Sequence, residues 1–167
     1  LQNIVNEVWT ASKGRSLQVE NATLQQFLGG CVFQLAWQPW RSDLLLPIVV
    51  KNIIPDFFYP IWSPDDPWDL LEAFVVYRLP AANANRLYNL NVSHSSTVVY
   101  VEHWTKDTYS IYLDGKPLES DYSGIKTTYH HLENPFGFVP LVYIPHIRIG
   151  DFWGSSHVPA LSGLVLE

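Results

Sequence analysis

The sequence predicts an α+β fold built mainly from an antiparallel twisted sheet, with short helices at the N-terminus and a helix start at the C-terminus. Three observations predict it. Two segments at the front carry apolar residues at helical spacing. Behind them, short aromatic and β-branched runs are punctuated by 12 Pro and 9 Gly, the pattern of strands alternating with turns. An Asp-Gly pair, Asp114-Gly115, separates two alternating runs, which is the strongest short-range hairpin signal.

Each element follows from local chemistry. Ile4, Val5, Val8 and Trp9 recur at helical spacing, so Gln2 to Ser12 reads as an amphipathic helix stopped near Gly14. Glu20 to Leu28 reads as a second helix, N-capped by Asn21 and terminated by Gly29-Gly30. Cys31 to Trp37 and Pro47 to Lys51 are strands joined by a loop. Ile53 to Trp62 is one extended run. Its Pro55 and Pro60 require an edge or a kink, because proline donates no ladder hydrogen bond. Ser63 to Trp68 is a turn or short helical start, capped by Ser63 or Asp66. From about Leu71 to Leu79 the run Ala73-Phe-Val-Val-Tyr77 outweighs a competing helical spacing and predicts a strand, and Ala81 to Leu90 is a loop or short helix. Thr97 to Trp104, a turn at Thr105 to Asp107, Thr108 to Leu113 and Lys116 to Leu118 form the clearest antiparallel unit. Lys126 to Leu132 and Phe138 to Ile144 complete the meander. Asn134-Pro135 and Gly137 supply turn chemistry, and Pro140 and Pro145 put the last strand at an edge. Gly154-Ser155-Ser156 ahead of Pro159 reads as a serine N-cap with proline in the first turn.

The expected organisation is one domain over 1–167: a helical entry at 1–30, an antiparallel meander at 31–148, and a turn into a helix at 150–165. A chain of 167 residues buries roughly two thirds of its unfolded surface. With 47% hydrophobic, 16% charged and 14% aromatic residues it is well cored and not a disordered tail. The scarcity of charge points to surfaces covered by neighbours. A net charge of -6, from 10 basic against 16 acidic residues, argues against sequence-independent nucleic-acid binding, which needs Lys and Arg at phosphates. Cys31 stands alone, so no intramolecular disulfide forms, and it reads as a small buried hydrophobe. No apolar run approaches the ~18 residues of a membrane span, and the N-terminus lacks signal-peptide regions. The chain starts at Leu1, contains no Met and stops just after the announced helix. It therefore reads as a part of a longer protein, with Leu166-Glu167 consistent with a vector-derived end.

The candidate chemistry is thin. His130-His131, Glu102-His103 and His94 could supply metal ligands, but adjacent residues on a strand point to opposite faces. His130 and His131 therefore do not share one ion in regular geometry. Asp65-Asp66, or Asp43 with Glu102, have no spacing that selects them as an acid pair, and they read as solvated turn residues. Gly154-Ser-Ser-His157 lacks the second glycine of a nucleophile elbow, and Gly29-Gly30 is not followed by the Lys-Ser/Thr of a phosphate loop. A carbohydrate- or peptide-binding β module is the alternative, if three or more of the 7 Trp and 9 Tyr are exposed in a line. The competing reading places these rings in core and interfaces.

Four ordered blocks add a resemblance. The first is Leu28 to Trp37, with Gly29 and Gly30 opening a strand. The second is Ile53 to Tyr77, with Pro55, Pro60, Asp65 and Asp66. The third is Val98 to Trp104 with Tyr109 to Tyr112, Asp114 and Gly115. The fourth is Asn134 to Ser156, with Pro135, Gly137, Pro140, Pro145, Arg148, Gly154 and Ser155. In type and order they resemble the wing region of tailed-bacteriophage and prophage portal proteins, and together they cover most of residues 24 to 162. One departure is that Ser155 is followed by Ser156-His157-Val158, where the family often has an acidic residue, so that carboxylate is not carried over. The resemblance implies a structural protein, not an enzyme, with no cofactor and no metal, whose matched residues are architectural. It implies a ring, usually of twelve subunits, at one vertex of the virion capsid, assembled in the bacterial host cytoplasm. DNA is packaged and ejected through that ring, and the tail attaches to it. The implied partners are other portal subunits and, through the full-length protein, capsid, scaffold, terminase and head-tail adaptors. Direct nucleic-acid contact and membrane contact are not expected of this segment.

Overall fold

The computed structural model describes residues 2–38, 42–66, 69–90, 97–122, 125–148 and 153–156. In chain order the elements are α1 (Gln2–Ala11), α2 (Gly14–Leu28), β1 (Gly30–Trp37), β2 (Ile48–Ile53), a 3₁₀ turn (Pro55–Phe57), β3 (Phe58–Trp62), β4 (Leu70–Pro80), α3 (Ala81–Tyr88), β5 (Thr97–Thr105), β6 (Thr108–Leu113), β7 (Lys116–Pro117), β8 (Glu119–Tyr122), β9 (Ile125–Thr128), β10 (Leu132–Glu133), β11 (Leu141–Pro145), β12 (Ile147–Arg148) and β13 (Gly154–Ser155). The class is α+β, dominated by antiparallel sheet. The chain forms two compact units, one of Leu1–Asp56 with Pro140–Glu167, the other of Phe57–Val139.

In the first unit three antiparallel strands run in the order β11-β1-β2, with Gly30 opposite Pro145 and Trp37 opposite Ile48. Helix α2 packs on β1 and α1 on β2. The second helix starts at Gly14, earlier than the expected Glu20, because Lys13 takes a left-handed φ of 54° and turns the chain straight from one helix into the next. Asn21 is accordingly not an N-cap. It lies inside α2, on the buried stripe with Gly14 and Leu17. Gly14 carries no Cβ because the Trp9 indole occupies that space. Ser12, 8% exposed, ties the helices to the sheet: its Oγ donates to Val8 O at 2.6 Å and accepts the Val50 N–H of β2 at 2.7 Å. That bond satisfies a donor on an edge strand, where open N–H groups otherwise invite foreign strands.

The second unit holds a six-stranded antiparallel sheet, β10-β6-β5-β4-β3, with β7 beside β6. β4 and β5 pair from Glu72–Thr105 to Pro80–Thr97. Because side chains alternate, one face of this ladder gathers Leu79, Val98, Tyr100, Ile111 and Leu118, and Ala84 of α3 packs into them. The 81–90 segment resolves as a helix because Ala81 and Ala84 are fully buried and tolerate nothing larger, and Asn89 closes it in a left-handed conformation. Pro60 lies on β3, the edge strand, as expected. The β5–β6 turn and the Asp114-Gly115 turn fall where expected. Asp114 and Gly115 both have positive φ, 48° and 77°, as a type I′ hairpin requires.

Four expectations are corrected. The run from Ile53 to Trp62 is broken by the 3₁₀ turn that begins at Pro55. Lys126 to Leu132 splits: β9 pairs with β8, and only Leu132-Glu133 reaches β6. The single meander over 31–148 is divided among separate sheets, since β11 leaves it to pair with β1 and β8–β9 form a two-stranded sheet of their own. Gly154-Ser155 forms a bridge with Ile147-Arg148, so it is extended backbone and not a helix cap. The rest of the announced helix lies outside the described residues, as do Pro67, Trp68 and His94. No helix among the described residues is long and apolar enough to cross a membrane.

Candidate functional site

Several of the residues singled out in the sequence collect at two joints, while Pro55, Pro60, Asp65, Asp66, Asp114 and Gly115 lie elsewhere. In the first unit, Gly29 ends α2 with φ 79°, its N–H bonded to Gln25 O at 3.0 Å, a backbone state that glycine adopts without penalty. Its carbonyl accepts from His146 N at 2.9 Å and from the Tyr143 hydroxyl at 3.4 Å. The same hydroxyl accepts the Gly154 N–H at 2.9 Å. A side chain at Gly29 would run into the Gly154 backbone, and one at Gly30 into the Tyr143 ring. Thus Gly29, Gly30, Pro145, Gly154 and Ser155 meet around one phenol, although they belong to the first and last sequence blocks. Burial pushes the Tyr143 phenol up, and the Gly154 N–H partly offsets it. Arg148, opposite Gly154, is exposed.

In the second unit the joint is Asn134, 5% exposed. Its Nδ2 donates to Thr105 O (2.8 Å), Lys106 O (3.1 Å) and Phe138 O (2.8 Å), and its Oδ1 accepts from Phe136 N (3.0 Å). Its own N–H donates to Asp107 O at 2.9 Å. One amide therefore holds the β5–β6 turn against the turn containing Pro135 and Gly137, the latter at φ 68°. Pro140, which belongs to the first unit, is fully buried and its carbonyl accepts from Leu35 N of that unit at 2.9 Å. Asp114 Oδ1 accepts from Val99 N at 2.8 Å, binding the I′ turn to β5. Asp65 and Asp66 are exposed in a turn closed by Ser63 N–H to Asp69 O and Asp69 N–H to Asp66 O.

Glu102, a residue considered for acid chemistry, is instead clamped. Tyr100 donates to its Oε1 at 2.8 Å and Trp104 Nε1 to its Oε2 at 3.0 Å, while the Tyr88 hydroxyl donates to Tyr100 at 3.2 Å. Burial, then the Glu102 carboxylate and Tyr88, push the Tyr100 phenol far above its ordinary range. Tyr77 and Tyr109 rise for the same first reason, burial. The Tyr100 phenol is accordingly a protonated donor to Glu102 at neutral pH. Asp43 belongs to the other unit.

The aromatic residues pack against one another on that core face: Tyr77 on Tyr100 at 4.8 Å and Trp104 on Tyr109 at 4.7 Å. Tyr100 and Trp104 are buried. The exposed rings Trp9, Trp37, Tyr59 and Trp153 stand on separate elements. On the opposite face His103 stacks on Phe74 at 4.2 Å and meets Glu72 at 2.8 Å. Burial also pushes the Cys31 thiol up.

No protein-family model and no curated protein matches the chain. Sequence reasoning missed Tyr143, Ser12 and the three-way role of Asn134. The first two carry no local signal, because their partners are set by tertiary folding. Asn134 did announce a turn, through the Asn-Pro pair.

Proposed function

We propose that this chain is a wing region of a tailed-phage or prophage portal protein, a structural and assembly element of the ring through which DNA enters and leaves the capsid. The observation that carries this reading is the order of the four blocks, together with the roles their residues play. Gly29, Gly30, Asp114, Gly115, Asn134, Gly137 and Gly154 serve backbone turns and close approaches, which suits an architectural part. The exposed apolar side chains, among them Val5, Trp9, Trp37, Leu45 and Leu46, suit a surface that neighbouring proteins cover. With a net charge of -6, the segment is suited to such contacts and poorly suited to gripping DNA.

The test is negative-stain imaging of the intact protein that contains this sequence. Rings with a central channel are expected. A parent that stays monomeric under every assembly condition would sink the proposal. The segment alone is expected to be monomeric in light scattering, with oligomerisation carried by other regions.

A further inference from the structure

His130 and His131 sit where the sequence placed a strand, yet strand alternation does not separate them. Tyr129 is bonded into the sheet on both sides, its carbonyl to Ile111 N at 2.7 Å and its N–H to Leu118 O at 2.8 Å. Three residues on, Leu132 lies opposite Tyr109. Two residues, His130 and His131, therefore stand against the single residue Ser110. That is the count of a β-bulge, a device that re-aims side chains. His131 takes the left-handed conformation, φ 51°, and its N–H is held by Ser110 Oγ at 2.9 Å, with Ser110 itself 2% exposed.

The other non-glycine residues with positive φ have turn roles: Lys13 between helices, Asn89 after α3 and Asp114 in the I′ turn. At His131 the left-handed state brings two imidazoles together. Both residues are exposed, and their ring centroids are 4.0 Å apart at 67°. The Tyr112 ring stands edge-on to His130 at 5.8 Å.

We propose that this bulge is a bidentate imidazole site for a borderline divalent transition ion, with Cu2+ bound most tightly. Two ligand nitrogens each about 2.0 Å from a metal stand roughly 3 Å apart, a separation that rings in such contact reach by rotating about Cβ–Cγ. No third His, Cys, Asp or Glu completes a metal cluster among the described residues. Water fills the remaining positions, which suits an exchangeable ion and not a structural zinc. Imidazole ligands and the order of divalent affinities favour copper.

The test is a Cu2+ titration of the full chain in a buffer that does not bind copper, followed by paramagnetic broadening of the imidazole NMR signals. At substoichiometric metal, His130 and His131 should broaden first among the 6 His residues. His131→Gly keeps the backbone free to hold positive φ while removing a ligand, and His130→Ala removes the other. Each should weaken binding at the bulge at least fivefold, while His103→Ala should not. Broadening spread evenly over all the histidines, or a loss under fivefold in either bulge variant, would overturn the proposal.

Discussion

Replacing Asn134 should separate geometry from mere polarity. Its Nδ2 has two hydrogens facing three carbonyl oxygens, on Thr105, Lys106 and Phe138, at 2.8 to 3.1 Å, and its Oδ1 takes the Phe136 N–H. Counting three hydrogen-bond equivalents at about 1 kcal/mol net each, Asn134→Ala should cost about 3 kcal/mol. With a urea slope of about 1–3 kcal/mol/M, the midpoint falls by about 1 M or more. Asn134→Asp keeps the shape but turns an anionic oxygen on the three carbonyls, so at neutral pH it should cost more, at least about 4 kcal/mol. The three carbonyls disfavour the ionised form of the new carboxyl, so its folded pKa is raised above the ordinary value of about 3.9. A raised group contributes stability that is present below its unfolded pKa and lost as pH rises through its folded one. The deficit of the Asp variant against wild type should thus be smallest near pH 4 and grow towards pH 7, while that of the Ala variant stays flat. Urea unfolding at both pH values, with amide exchange of Ile111 and Tyr129 as local reporters, measures this. Equal deficits for the two variants at pH 7, or an Asp variant within about 0.5 kcal/mol of wild type, would refute the reasoning.

Two further changes probe other links. Ser12→Ala removes the partner of the Val50 N–H and should cost about 1–2 kcal/mol, speeding amide exchange at Val50 at least tenfold; unchanged protection there would mean that the edge is covered some other way. Because the Tyr100 phenol is raised from an ordinary 10.0, its contribution is complete below about pH 10 and is lost as pH rises further, when the unfolded chain releases a proton that the fold retains. Tyr100→Phe should therefore make the alkaline fall in stability shallower by up to about 1.4 kcal/mol per pH unit, and identical slopes in wild type and variant would count against a buried phenol.

The sequence announced what depends on neighbours in the chain. Asp114-Gly115 demands positive φ twice, Gly29 ends a helix, and Pro60 cannot sit in a central strand, so turns, terminators and edges were legible. What depends on partners far away was not. Nothing local tells β11 to pair with β1 instead of continuing the meander, because its apolar alternation fits either sheet. Asn21 has the right side chain for a cap, but a left-handed Lys13 moves the helix start six residues upstream of the expected Glu20, to Gly14. Strand alternation predicts opposite faces for His130 and His131, and a single bulge cancels it. The site residues were legible as turn formers; their convergence on Tyr143 and Asn134 was not.

The Gly29–Tyr143–Gly154 joint has a consequence for the order of synthesis. Its parts lie at the two ends of an interrupted unit, Leu1–Asp56 and Pro140–Glu167, while Phe57–Val139 is contiguous. On a ribosome adding about 5–20 residues per second, β1 emerges several seconds before β11, its neighbour on one side. The contiguous unit can therefore mature before the interrupted one is complete, while β1, beside β2, waits with its other edge open. An open edge of that kind invites foreign strands, so that interval favours mispairing until β11 closes it.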